Sequence, residues 1–177
     1  MNAYHPADRL HEPAAYAKRA VAHHRPGHDT GRGCEAQDRH EQVALLREAF
    51  EKYGGFATGD HVAGLMRKAS LQPISQLARW IVAREVLAVV LPSGVWLPMF
   101  QFDTRRMEPW VGVRDALCEL RDVCDEWELA RWFACPNPAL EDRAPMELVA
   151  EDPATVTRAA RSYRLALRAL SASVKPG

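Results

Sequence analysis

Long apolar runs are missing from this 177-residue chain. None approaches the ~18 residues a membrane-spanning helix needs, and no charged-then-apolar leader opens the sequence. Neither a membrane partner nor secretion is expected. Cysteine is scarce: Cys34, Cys118, Cys124 and Cys135 form no Cys-x-x-Cys pair. That points to buried thiols in a reduced, cytoplasmic protein. Histidine all but vanishes after the first 40 residues, which hold six of the seven; His61 alone follows, beside Asp60. No Ser or Cys nucleophile motif, Gly-rich phosphate loop or His-x-x-x-His pair accompanies it. His24 and His28 stand four apart near Cys34, but Pro26 and Gly27 break any helix between them. An enzyme is therefore not expected, nor a metal or other cofactor.

Acid is absent from residues 153–177, which hold five basic residues. Total charge is balanced, 23 basic against 23 acidic, so the imbalance is local. Residues 55–106 hold six basic and three acidic residues, a net of +3; residues 107–152 hold four and twelve, a net of −8. Such asymmetry suits separate partners for separate parts. It equally suits a basic last helix lying on the acidic stretch before it.

Residues 1–40 read as a disordered tail with weak apolar periodicity, in which 13–24 could form a frayed helix. Gln42–Tyr53 reads as a helix with Val43, Leu46, Ala49 and Phe50 on one face and Gly54-Gly55 as its stop. Thr58 caps a short helix through Lys68, whose apolar side is Val62, Leu65 and Met66. Pro73 opens the next, with Ile74, Leu77, Ala78 and Ile81 expected to face inward. Leu87–Leu91 and Val95–Leu97 read as strands around a Pro92-Ser93-Gly94 turn. Beyond Pro109, Trp110, Val113, Leu117, Leu120 and Cys124 form one helical seam, with Asp115, Glu119 and Asp122 pointing elsewhere. Glu126–Phe133 is a further short helix. Asp152 caps a last helix opened by Pro153, with Val156, Ala160, Tyr163, Leu167 and Leu170 as its seam. Arg158, Arg161, Arg164 and Arg168 fall on an adjacent face.

The most informative stretch is 132–149, Trp-Phe-Ala-Cys-Pro-Asn-Pro-Ala-Leu-Glu-Asp-Arg-Ala-Pro-Met-Glu-Leu-Val. Pro136 and Pro138 remove two N–H donors and push Cys135 and Asn137 out of the α region, so the helix must stop there. Asn137 can bond its own backbone and set the turn, and Pro145 suits a first helical position. On chemistry alone this is a helical corner closing a small core, with Trp132, Phe133, Leu140 and Leu148 inside. Its order and spacing resemble the toxin-binding domain of Xre/MbcA/ParS-type antitoxins: an aromatic helix end, a "Pro-Asn-x-x-Leu" turn and an "x-Pro-x-[Asp/Glu]-Leu-Leu" helix start. Trp132, Pro136, Asn137, Leu140, Pro145, Glu147 and Leu148 carry the match. The family's Gly shortly after the Leu is replaced here by Glu141-Asp142-Arg143.

The preceding module resembles an excisionase- or MerR-like winged helix-turn-helix. The residues are Thr58, Val62, Ala63 and Leu65 in the first helix, Trp80 in the second, and Pro98, Phe100, Gln101 and Phe102 at the wing's end. Together the two resemblances cover about residues 41–160. They imply a mainly α-helical chain: a tail over 1–40, a winged helix-turn-helix with a small β-hairpin over 41–106, and a helical toxin-binding domain over 107–177. They also imply an antitoxin that blocks a RES- or ParT-type toxin, one that consumes NAD or transfers ADP-ribose, and that binds its own promoter as a homodimer. The alternative is a stand-alone DNA-binding transcriptional regulator. Candidate DNA contacts are Ser75, Gln76, Arg79, Arg84 and Ser93. Against that stands a helix-turn-helix kept only for packing. Candidate toxin contacts are Asn137, Arg158, Arg161, Arg164 and Arg168. The arginines equally fit a solvated face, DNA phosphates, or the chain's own acidic segment.

Overall fold

The structure, a computed structural model, describes residues 32–91 and 93–173; for 32–41 it describes the backbone path alone. The expectations for residues 1–31, for the His24, His28 and Cys34 side chains and for Pro92 lie outside that range. Helix α1 spans Arg32–Glu51 and so begins ten residues before the expected Gln42, inside the stretch read as a tail. Residues 32–41 hold one Gly and no Pro among good helix formers, which permits the helix despite its weak apolar periodicity. It ends as expected. Tyr53 N and Gly55 N both donate to Phe50 O at 2.9 Å, with Gly54 and Gly55 left-handed. A Cβ on Gly54 would lie 2.9 Å from Met99 Cβ, so this turn requires glycine.

The next elements are β1 (Phe56–Thr58), α2 (Gly59–Met66), α3 (Pro73–Val82), β2 (Val89–Leu91) and β3 (Gly94–Pro98). Thr58 caps α2, its Oγ1 accepting from His61 N at 3.3 Å. Strands β2 and β3 pair antiparallel with Val89 opposite Trp96 and Leu91 opposite Gly94. On the other side of β3, Phe56 of β1 faces Pro98, giving the order β1-β3-β2. This is helix, linker, helix and hairpin, with an added strand from before the first helix. The chain is mainly α with one small antiparallel sheet, and a two-stranded ribbon, β4 (Phe102–Asp103) with β5 (Glu108–Pro109), follows it.

Helix α3 is rotated from the expected setting. Leu77 is buried and Trp80 and Ile81 half-buried, whereas Ile74 and Ala78 face out. Trp80 takes the inner position, its ring 6.4 Å from that of Phe102, and the other apolar stripe is turned to solvent. Leu65 of α2 is also exposed rather than inward.

Helices α4 (Val111–Leu120), α5 (Glu126–Ala134), α6 (Pro145–Leu148) and α7 (Pro153–Ser173) complete the chain. A capping box starts α5: Asp125 Oδ1 accepts from Trp127 N and Glu128 N, and Glu128 Oε2 accepts from Asp125 N at 2.8 Å. Helix α7 lies along α4. The α4 backbone also passes so near the α6–α7 corner that a Cβ on Gly112 would meet Val149 O at 2.6 Å. Among the described residues no helix is long and apolar enough to cross a membrane.

Two apolar cores result. The smaller joins Ala57, Val62, Met66, Leu77, Leu97, Phe102 and Met107. The larger gathers the α4–α7 seam with Leu46, Phe50, Leu87, Val89 and Phe100, and so crosses the boundary expected at 106/107. An aromatic row carries it across: Phe50 stacks on Phe100 at 5.2 Å, Phe100 meets Phe133 at 5.2 Å, and Phe133 meets Trp132 edge-on at 4.9 Å. Trp132, Phe133, Leu140 and Leu148 are all buried in it.

Between the cores sits Gln101, wholly buried. Its Oε1 accepts from Leu87 N at 2.7 Å and its Nε2 donates to Leu87 O at 2.9 Å. The segment from α3 to β2 has no ladder of its own, so this side chain serves as its peptide partner. Replacing it with the apolar near-isostere, Gln101→Met, would leave both Leu87 groups buried and unpaired. The expected loss is about 2–4 kcal/mol in a denaturant melt, against little change for Gln76→Met on the surface.

Candidate functional site

Two surfaces hold the residues singled out from the sequence. The first is the corner 132–149 with the α7 helix above it. Asn137 Oδ1 accepts from Ala139 N at 3.0 Å, Asn137 O accepts from Leu140 N at 2.8 Å and Asp142 N at 3.1 Å, and Asn137 N donates to Arg143 O at 3.0 Å. These bonds close the turn over buried Leu140. Asn137 is itself 4% exposed, and its side-chain oxygen builds the turn. Glu141 and Asp142 both adopt left-handed backbone, φ 55° and 60°, at the place where the resemblance would have glycine. From the end of α1, Tyr53 hydrogen-bonds to Glu147 of α6; desolvation first, and that carboxylate second, hold its phenol above the ordinary range.

The arginines of α7 divide. Arg161 donates through Nε (3.1 Å) and Nη2 (2.8 Å) to Glu119 Oε1, while Arg164 Nη1 lies 2.7 Å from Glu119 Oε2. The Glu119 side chain is 14% exposed, so it points into the α4–α7 seam and not elsewhere as expected. Arg158 bonds to Thr155 Oγ1, at 2.6 Å, and Arg168 is exposed. Arg158, Arg161, Leu165 and Arg168 form one outward stripe at helical spacing, with Leu165 58% exposed at its centre. Leu165 was missed from the sequence because a lone leucine among arginines carries no periodic signal. Asp152 caps α7 through Thr155, whose N donates to it at 3.0 Å. Those bonds hold its carboxyl below the ordinary range, so the cap's contribution is present at neutral pH and lost as pH falls through that lowered value.

The second surface is the outer side of α3. Ser75 and Arg79 are exposed on one arc, with Gln76 beside them. Two other residues assigned to DNA are engaged internally. Arg84, at left-handed φ 54°, donates Nη1 to Arg121 O at 2.7 Å and pairs with Glu126 at 3.5 Å. Ser93 Oγ accepts from Trp96 Nε1 at 3.0 Å, tying the hairpin tip. Exposed Arg105 and Arg106 on the β4–β5 turn were not singled out, since two-residue strands carry no periodic pattern.

Two thiols lie near these surfaces, both held protonated. Burial, with Glu128 and Asp125 nearby, pushes the Cys124 thiol up to about 12, and burial raises Cys135; both stay protonated at neutral pH. Among the described residues no three His, Cys, Asp or Glu side chains gather where they could hold a metal ion. No family model, curated protein or solved structure matches the chain, so the functional reading rests on geometry and on the motifs above.

Two stability outcomes follow from this site. Glu141→Gly should stabilise the fold by about 0.5–1 kcal/mol, because relief of a left-handed residue outweighs the added chain entropy; a lower thermal midpoint would contradict it. Glu119→Ala should cost about 1–3 kcal/mol, since it strands the half-buried Arg164, whereas exposed Arg161→Ala should cost less than about 1 kcal/mol. Equal losses in urea melts would show that the stripe does not lean on Glu119.

Proposed function

We propose that this chain is a cytoplasmic antitoxin whose C-terminal half binds a protein toxin and covers its catalytic cleft. The toxin is of the RES or ParT kind, consuming NAD or transferring ADP-ribose. Inhibition is steric and uses no cofactor or chemistry of the antitoxin's own. The observation that carries this reading is the outer stripe of α7: cationic Arg158, Arg161 and Arg168 around the exposed apolar Leu165, on a segment holding no acid. An apolar anchor ringed by guanidinium groups suits a protein surface rich in carboxylates. The corner below it, which bears the family motif, sets the helix on a buried aromatic floor.

A second reading is a stand-alone transcriptional regulator. The helix–linker–helix–hairpin order and the shared arc of Ser75 and Arg79 favour it. In the antitoxin reading that same module binds the operon's own promoter as a homodimer.

Arg158 and Arg168, which make no ion pair with an acid among the described residues, are the residues to reverse; Arg161 and Arg164 also hold the fold. The test is co-expression with the product of the neighbouring gene. Full-length protein should restore growth, and a chain ending at Asp152 should not. Arg158→Glu/Arg168→Glu should weaken the purified complex about 10–100-fold while leaving the melt unchanged. Rescue by the truncated chain would remove α7 as the inhibitory element. A harmless neighbour that never binds would move the reading to the regulator.

A further inference from the structure

An open groove of about 520 Å³ follows the free edge of β1. In the order β1-β3-β2 one side of β1 is left unpaired. Phe56, Ala57 and Thr58 all line the groove, although successive strand residues point to opposite faces. The groove therefore runs along the edge of the strand and not over one face. Main-chain groups are presented there. Met99 N donates to Gly55 O at 2.8 Å and Ala57 stands opposite Leu97. The Gly55 carbonyl and both groups of Ala57 thus turn toward β3. Phe56 stands opposite Pro98, which has no N–H. The Phe56 N–H and C=O consequently point outward, and no turn, loop or side chain among the described residues takes them.

That edge is short. The Thr58 carbonyl belongs to the first turn of α2, and Gly55 N is bonded to Phe50 O. One residue's donor and acceptor remain, with Thr58 N–H beside them, which is too little for an added peptide strand. It suits a small planar ligand carrying a donor next to an acceptor. The walls agree, because the rings of Tyr53, Phe56 and Trp96 stand half-buried along the groove. Two of these rings are held in place. Arg47 lies over Trp96 at 5.5 Å, and the Trp96 indole N–H donates to Ser93 Oγ at 3.0 Å; Tyr53 hydrogen-bonds to Glu147. Thr58, His61 and Thr104 supply the polar side chains, and among the described residues no Lys, Arg, Asp or Glu lines the groove. A charged head group has no counter-ion there, whereas an uncharged heterocycle needs none.

We propose that this groove binds an uncharged, amino-substituted heteroaromatic base of the adenine kind, with its ring among Tyr53, Phe56 and Trp96. The Phe56 C=O accepts from the exocyclic amino group, and the Phe56 N–H donates to the adjacent ring nitrogen. The volume lies within the range of small-molecule sites. No residue of α3 or α7 lines the groove, so the inference depends on neither the toxin reading nor the promoter reading.

The test is a titration of isotope-labelled full-length protein with adenosine, followed by amide chemical shifts. The Phe56 and Thr58 amides and the Trp96 indole N–H should move saturably, with half-saturation below about 1 mM. The analogue dimethylated on the exocyclic amine keeps the stacking surface but lacks the donor, and should bind about 10-fold more weakly or worse. Thr104→Trp fills the groove from an exposed position, and should abolish the shifts with circular dichroism unchanged. Absence of shifts at several millimolar adenosine overturns the proposal, as does a Phe56 amide that stays still at saturation. Equal binding of the dimethylated analogue, or undiminished binding by Thr104→Trp, overturns it too. Shifts confined to α3 or α7 would place the base elsewhere and sink it as well.

Discussion

The paired hydrogen bonds between the Gln101 side chain and the Leu87 backbone fix the path of the chain between α3 and β2, where the two cores meet. The chain leaving α3 passes through the interior before it enters β2, and buried peptide groups there need partners. A glutamine amide offers one donor and one acceptor in the spacing of a peptide, so it stands in for a neighbouring strand. The same residue's carbonyl accepts from Trp110 N at 2.9 Å and so fixes where α4 begins. Its neighbours then diverge: Phe100 enters the larger core and Phe102 the smaller. Gln101 thereby links the helix–linker–helix module to the start of α4 through its backbone carbonyl. The aromatic row from Phe50 to Trp132 makes the join apolar as well as hydrogen-bonded. A change at the α4–α7 surface is thus mechanically continuous with α1 and the hairpin.

Charge is arranged by a comparable economy. The acidic stretch 107–152 and the basic stretch 153–177 look in sequence like surfaces for two partners. In the fold much of that opposition meets at Glu119, which takes two guanidinium groups from α7. A carboxylate with little exposure, paired twice, keeps α7 in register along α4 where Gly112 permits close approach. What remains outward is a narrower stripe around Leu165. The residues that attach α7 to its own domain and those free to attach a partner are therefore mostly different, although they alternate along one helix.

Much of the fold was legible because its signals are local. Prolines 73, 136, 138, 145 and 153, the Thr58 and Asp152 caps, and Gly54-Gly55 act within a few residues of themselves. Their elements begin and end near where those residues require. The α4 and α7 seams were legible because each has one apolar face. Helix α3 was not, because it has two: Leu77, Trp80 and Ile81 on one side, Leu71, Ile74, Ala78 and Val82 on the other. Periodicity alone cannot choose between them; the position of Phe102 against Trp80 does. The engagements of Arg84, Ser93 and Glu119 depend on partners distant in sequence or on hairpin closure. The polar character that marked Arg84 and Ser93 as DNA contacts is the same character that makes them useful inside the fold.

That ambiguity bears on what α3 can do. Its exposed arc is half polar, with Ser75 and Arg79, and half apolar, with Ile74, Ala78 and Val82. Around a helix these halves are adjacent, so anything seated on the apolar half crowds Ser75 and Arg79 at its rim. Groove reading by α3 would set Ser75 and Arg79 toward the bases and phosphates with the apolar half at the edge of the contact. The apolar half thus constrains the regulator reading more tightly than it constrains the antitoxin reading, whose contact surface lies on α7.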